Sequence, residues 1–255
     1  RDREARTYRL ANGRGAILPR DDQLCRNEFI VVADLDAAGG NAAIFLAAAI
    51  DREEIETHFA PHLEDRELVR WDEAAEAVIA RRQTQYHSLI LRDAPLRRPD
   101  PQAVQDAMLE GIRALGLEAL PWTKQTNAWR LRVAFLGRLF PDDWPDVSDA
   151  ALTDNLEDWL GPFLTGVRRR AQLADVDLLS ALKTLLDYQQ QQRLDKLAPT
   201  HLTVPSGVRV PLDYGAGDAP VLAARIQQMF GAAKTPAVAG GRVPVVLHLL
   251  SPAGR

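Results

Sequence analysis

The 255-residue sequence has one cysteine, Cys25, so no disulfide can form within the chain. That usage fits a reducing compartment, and the expected location is the cytoplasm. No apolar run approaches the ~20 residues of a membrane-spanning helix, so no membrane partner is expected. The first residues, RDREARTYRL, are charged from the start and lack the apolar segment of a signal peptide. The sequence opens on Arg rather than Met, which leads us to expect a piece of a longer protein. It also lacks a strong charge imbalance. Its 31 basic and 35 acidic side chains give a net charge of −4, which excludes a large non-specific field for nucleic acid.

Catalytic motifs are missing as well. A phosphate loop needs G-x-x-x-x-G-K-[ST], because backbone amides must wrap the phosphates just before the lysine. GAAKT, Gly231 to Thr235, lacks the glycine before Lys234 and closes an expected helix instead of opening one. The glycine pairs 39–40 and 240–241 do not extend to G-x-G-x-x-G. The five histidines, His58, His62, His87, His201 and His248, have no carboxylate or cysteine spacing that completes a metal site. His201, Ser206 and Asp213 are residue types of a hydrolase triad, but no G-x-S-x-G elbow surrounds the serine. The chain is expected to be non-catalytic, with no cofactor and no metal of its own.

What is present is an ordinary globular composition, 46% hydrophobic and 26% charged. The expected fold class is α+β. Up to about residue 98 the pattern is mostly β. YRLANGRGAIL reads as a hairpin turning at Asn12-Gly13. FIVVADLD and NAAIFLAAAI read as two strands joined by Gly39-Gly40-Asn41. The second, from Ala42 to Ile50, is so apolar that both of its faces should be buried. DREEIETHFA is a short helix capped by Asp51. ELVRWD, EAVIARRQTQ and YHSLILRDAPL add three strands, and many short strands around one helix suggest a small barrel. Pro95, Pro99 and Pro101 then mark a boundary within Ala94 to Gln102, giving domains of 1–98 and 99–255.

The second domain is expected to be mainly helical. PQAVQDAMLEGIRALG ends at Gly116. NAWRLRVAFLGRLF places Trp129, Val133, Leu136 and Phe140 on one face. SDAALTDNLEDWLG starts at Ser148, and DVDLLSALKTLLDYQQQQRLDKL carries a leucine stripe. Asp218 is expected to cap a further helix from Ala219-Pro220 to Gly231, and AGGRVPVVLHLL to form a buried C-terminal strand.

Between these helices lies LAPTHLTVPSGVRVPLDY, with a hairpin expected within 200–214. A two-residue loop at Ser206-Gly207 would place apolar Val204 opposite Arg209. A three-residue loop, Pro205-Ser206-Gly207, pairs Val204 with Val208 and Leu202 with Val210. His201, Thr203 and Arg209 then share the other face, with Asp213 further along it. From residue 199 onward there are five basic and two acidic residues. Arg209 offers a planar fork for phosphate, and Thr203, His201 and Ser206 can add hydrogen bonds. Arg242, after Gly240-Gly241, is a second candidate. These five are the candidate nucleic-acid contacts; the competing reading is a solvated face on which Arg209 and Asp213 merely pair.

Several stretches resemble the HrpB-type bacterial ATP-dependent helicases, relatives of the DEAH-box group. They are YRLANGRGAIL, FIVVADLD, IFLAAAID, LPW, DDWPDVSDAAL, LDKLAPTHLTVPSGVRVPLDY, PVLAARIQQMFG and TPAVAGGRVPVVLHLLSPAGR, in family order through nearly the whole chain. The resemblance implies a C-terminal accessory region of an RNA helicase, without the two ATPase lobes. It implies an oligonucleotide-binding (OB) type of barrel in 1–98. It also implies RNA or single-stranded nucleic acid and the motor lobes of the same polypeptide as partners. ATP and Mg would belong to those lobes. The alternative is a structural or protein-docking region without nucleic-acid contact.

Overall fold

The computed structural model describes residues 6–36 and 41–251; the turn expected at Gly39-Gly40 lies outside them. The chain divides into two compact units. One holds the residues up to Arg70 together with Ile79–Val104, and the other holds Trp71–Val78 with Gln105 onward. The dividing point in the chain thus falls at Val104 and not at residue 98, and the second unit takes eight residues from within the β-rich part.

In the first unit β1 (Thr7–Arg9) and β2 (Gly15–Ile17) form the expected hairpin, its turn closed by Gly13 N on Leu10 O at 2.8 Å. β3 (Phe29–Asp36) and β4 (Asn41–Ile50) pair antiparallel, and β2 runs parallel to β4, so the sheet order is β1-β2-β4-β3. Tyr8, Ala16, Leu18, Ala42 and Ile44 form its core. Burial of both faces of β4 does not occur: Phe45 and Leu46 are 68% and 61% exposed. The strand is apolar throughout, but only one face of its sheet is covered, as antiparallel and mixed sheets allow.

α1 (Arg52–His58) follows, capped by Asp51, whose backbone N–H is held in return by Glu54 at 2.8 Å. β5 (Leu63–Asp72), β6 (Ala77–Tyr86) and β7 (Leu89–Pro95) form a separate sheet in that order. Two 2.6 Å bonds from Arg92 to Glu56 tie β7 to α1. The strands expected to close into an OB-like barrel therefore lie in two open sheets. No closed barrel forms among the described residues. Closure needs a continuous ladder from strand to strand, and no ladder joins these two sheets.

The second unit is built on α2 (Pro101–Leu115), α3 (Lys124–Leu139), α4 (Asp149–Asp154), α5 (Leu156–Trp159), α6 (Leu178–Lys183) and α7 (Tyr188–Leu197). Trp129, Val133 and Leu136 of α3 are buried as their spacing predicts. The leucine-rich stretch after Asp177 is two helices, because Asp187 starts a new one. Its carboxylate accepts from Gln190 N at 2.7 Å, while Gln190 Oε1 accepts from Asp187 N at 2.8 Å.

β8 (His201–Thr203), β9 (Arg209–Asp213), β10 (Val221–Arg225) and β13 (Val246–Leu250) make a sheet of order β13-β10-β9-β8. β11 (Ala237–Val238) and β12 (Val243–Pro244) pair by themselves. The helix expected from Ala219-Pro220 to Gly231 is instead β10 followed by a short 3-10 turn, Ile226–Met229. Val221, Leu222 and Ala224 are buried as β10 sits between β9, antiparallel, and β13, parallel. Position in the middle of a sheet outweighs the helix propensity of an alanine pair. β13, expected to be buried, is an edge strand with Val246 and Leu249 exposed.

Residues Trp71–Val78, the tip of the β5–β6 hairpin, complete this unit. Val78 N donates to Arg168 O at 2.7 Å, Arg170 N to Glu76 O at 3.0 Å, and the Arg170 guanidinium pairs with Glu76. The Trp71 ring lies on α2 at Gly111, so close that a Cβ there would overlap it.

Candidate nucleic-acid interface

The β8–β9 hairpin has the three-residue loop that the apolar register requires. Leu202 stands opposite Val210 and Thr203 opposite Arg209. Val204 N donates to Val208 O at 3.0 Å, and Gly207 N to Val204 O at 2.8 Å. Gly207 has φ +82°, the left-handed region that a side chain would disfavour. Ser206 N reaches Gln228 O at 3.2 Å and seats the loop against the 3-10 turn.

Val204, Val210 and Leu212 are buried beneath the hairpin, and the outer side chains of His201, Thr203, Ser206 and Arg209 are all exposed. Among the described residues Arg209 forms no ion pair and no side-chain hydrogen bond. Asp213, also exposed, is engaged in its own turn, accepting from Gly215 N at 2.8 Å. The Arg209–Asp213 pair allowed by the competing reading is absent. His201 Nδ1 lies 3.1 Å from Thr200 Oγ1. Arg242 is exposed and packs over the Phe140 ring at 4.9 Å; no hydrogen bond or ion pair links it to the four hairpin side chains. No group of three or more His, Cys, Asp or Glu side chains able to hold a metal occurs among the described residues. No helix among them is long and apolar enough to cross a membrane.

Two residues that fix this hairpin are not evident from its own motif. Arg132 on α3 is buried, with Nε donating to Ala198 O at 2.6 Å and Nη2 to Asp195 Oδ1 at 2.5 Å and Leu194 O at 3.4 Å. These acceptors lie at the C-terminal end of α7, where Leu194 O also accepts from Ala198 N at 2.9 Å and Ala198 O relies on Arg132. Tyr214, just past β9, donates its hydroxyl to Pro199 O at 2.8 Å and packs its ring 5.2 Å from Phe135. Burial pushes the Tyr214 phenol well above its usual range, and the nearby charge of Arg132 opposes that only weakly. A sequence signal for Arg132 did exist: it is a charged residue on the apolar stripe, three positions after Trp129 and four before Leu136.

Residues 159–255, which include the whole hairpin, match the family model described as ATP-dependent helicase C-terminal. Residues 62–96, which span β5–β7, match the connector region of ATP-dependent RNA helicase HrpB. The ATP-dependent RNA helicase HrpB of Escherichia coli (strain K12) is 41% identical over 251 residues, 97% of this chain and 31% of that protein. A crystal structure of the E. coli DExH-box NTPase HrpB superposes with a TM-score of 0.62 at 40% identity, covering 98% of this chain and 31% of the other. One of the E. coli DEAH/RHA helicase HrpB gives 0.59 at 36% identity, covering 96% and 31%. The chain thus spans about a third of the length of these relatives. It belongs to the HrpB helicase family, in which it corresponds to the C-terminal region.

Proposed function

We propose that this region is a non-catalytic, cytoplasmic accessory part of an ATP-dependent RNA helicase, and that the outer face of the β8–β9 hairpin contacts the nucleic-acid backbone. The relative's activity gives the setting, since E. coli HrpB is named an ATP-dependent RNA helicase. ATP and Mg are assigned to motor lobes elsewhere in the polypeptide, which this region would also brace. The observation that carries the reading is the exposed, unpaired guanidinium of Arg209 directly across from the Thr203 hydroxyl. A guanidinium without a carboxylate of its own is free to take a phosphate through two parallel N–H bonds. Thr203, His201 and Ser206 supply neutral hydrogen bonds beside it, and Arg242 would add a second cation. Such contacts position a strand without reading its sequence.

The test is binding of labelled single-stranded RNA to the 255-residue chain at two salt concentrations. Phosphate contacts release counterions, so affinity should fall as salt rises and should vary little with RNA sequence. RNA binding that is absent even at low salt would leave the docking and bracing role alone.

A further inference from the structure

α3, α6, α7 and the residue that leads into β8 enclose a cleft of about 330 Å³. Arg132 forms part of its wall with a side chain only 7% exposed. A guanidinium carries five N–H donors. Nε is directed at Ala198 O, and Nη2 at Asp195 and Leu194 O. Nη1 has no partner among the described residues, which leaves a buried cation with donors to spare beside an open space.

The rest of the lining adds to this. Lys183 is exposed in the same cleft and forms no ion pair among the described residues; its charge reaches Asp177 only through space. Gln125 contributes uncharged donors, and Thr200 a hydroxyl that also lies 3.1 Å from His201 Nδ1. Asp195 is the one carboxylate among the described lining residues, so Arg132 and Lys183 together leave one net positive charge. Donors come from three separate elements and therefore from different directions. A carboxylate accepts in one plane, whereas a phosphate presents oxygens on every side.

We propose that this cleft binds a phosphate group, held between Arg132 and Lys183 with the Thr200 hydroxyl alongside. The phosphate is either part of a bound nucleic-acid strand or a free phosphate or phosphate ester. The site does not include Arg209, and it stands whether or not the hairpin touches RNA.

The experiment is calorimetric titration of the 255-residue chain with inorganic phosphate at constant ionic strength, repeated with a short oligouridylate. Arg132 also supports the fold, so the exposed Lys183→Ala and Lys183→Glu variants carry the test, with circular dichroism confirming that they fold. Phosphate should bind saturably, Lys183→Ala should weaken it by about tenfold, and Lys183→Glu should abolish it, while Arg209→Ala leaves it unchanged. Loss of both phosphate and oligouridylate affinity in Lys183→Glu assigns the phosphate to a strand; loss of phosphate affinity alone assigns it to a free ion or ester. No saturable phosphate binding, or equal binding by wild type and Lys183→Glu, overturns the proposal. So does phosphate binding that is lost in Arg209→Ala and kept in Lys183→Glu.

Discussion

Arg132 donates its Nε to the carbonyl oxygen of Ala198 at 2.6 Å, across 66 residues of sequence. One buried side chain on α3 thereby fixes where α7 ends and where the strand toward β8 begins. Ala239 N, which donates to Leu197 O at 2.7 Å, holds the same segment. The hairpin is thus placed by groups outside it.

Replacing Arg132 by Met should strand the Ala198 carbonyl in an apolar setting, while Leu194 O keeps its bond from Ala198 N. We expect a loss of about 1.5–3 kcal/mol, the range for hydrogen bonds to a charged group, read by urea denaturation. Arg132→Lys should recover little of it, because one ammonium cannot reproduce a fork that meets carbonyls and Asp195 together. Stability equal to wild type in both variants would refute this role.

Tyr214→Phe removes the bond to Pro199 and should cost about 1 kcal/mol at neutral pH. The pH dependence has a definite sign. The folded phenol titrates above its unfolded value, so its contribution is complete below the ordinary tyrosine range and is lost as pH rises into the folded-state range. The gap between wild type and Tyr214→Phe should therefore narrow, and can reverse, as pH rises above about 10. A gap constant from pH 7 to strongly alkaline conditions would contradict the assignment.

Arg209→Ala should leave folding within about 0.5 kcal/mol, since the side chain is exposed. RNA affinity should weaken alike for all sequences, with the salt slope reduced by roughly one. Gly207→Val is the structural counterpart. No atom crowds a Cβ there, so the penalty is that of the left-handed backbone alone, about 1–2 kcal/mol. Thermal melts and filter binding on the two variants should separate a chemical effect from a folding one.

Gly111→Ala should destabilise the second unit although alanine favours helix by about 1 kcal/mol. The added methyl would meet the Trp71 ring, and overpacking of this kind costs about 1–3 kcal/mol. A higher melting temperature for Gly111→Ala would mean that Trp71 yields freely.

The parts of this fold that could be read from the sequence are those decided locally. Leu202, Val204, Val208 and Val210 fix the hairpin loop because only one loop length matches them across the strands, and the faces of Thr203 and Arg209 follow. The caps at Asp51 and Ser148 are equally local. β10 reads as helix in the sequence because its pairing with β13 joins Val221 to Val246, far along the chain, and nothing within VLAAR announces it. The apolar β4 suggested a covered sheet because a side chain's type does not reveal whether a second layer exists to cover Phe45 and Leu46. The partners of Arg242 and Arg132, Phe140 and Ala198, could be found only once helices and loops were assembled in space.

Trp71 bears on the order in which the chain can fold. Synthesis runs from the N-terminus, so the β5–β6 hairpin has emerged before any of α2. When Gly111 arrives, the indole that it must accommodate already exists. The core of the second unit can then condense around a ring waiting for it. A chain begun at Pro101 would have to close the same core with a ring-sized vacancy against α2. Its deficit should show first as slow, incomplete refolding, and adding a peptide that spans Trp71–Val78 should speed it.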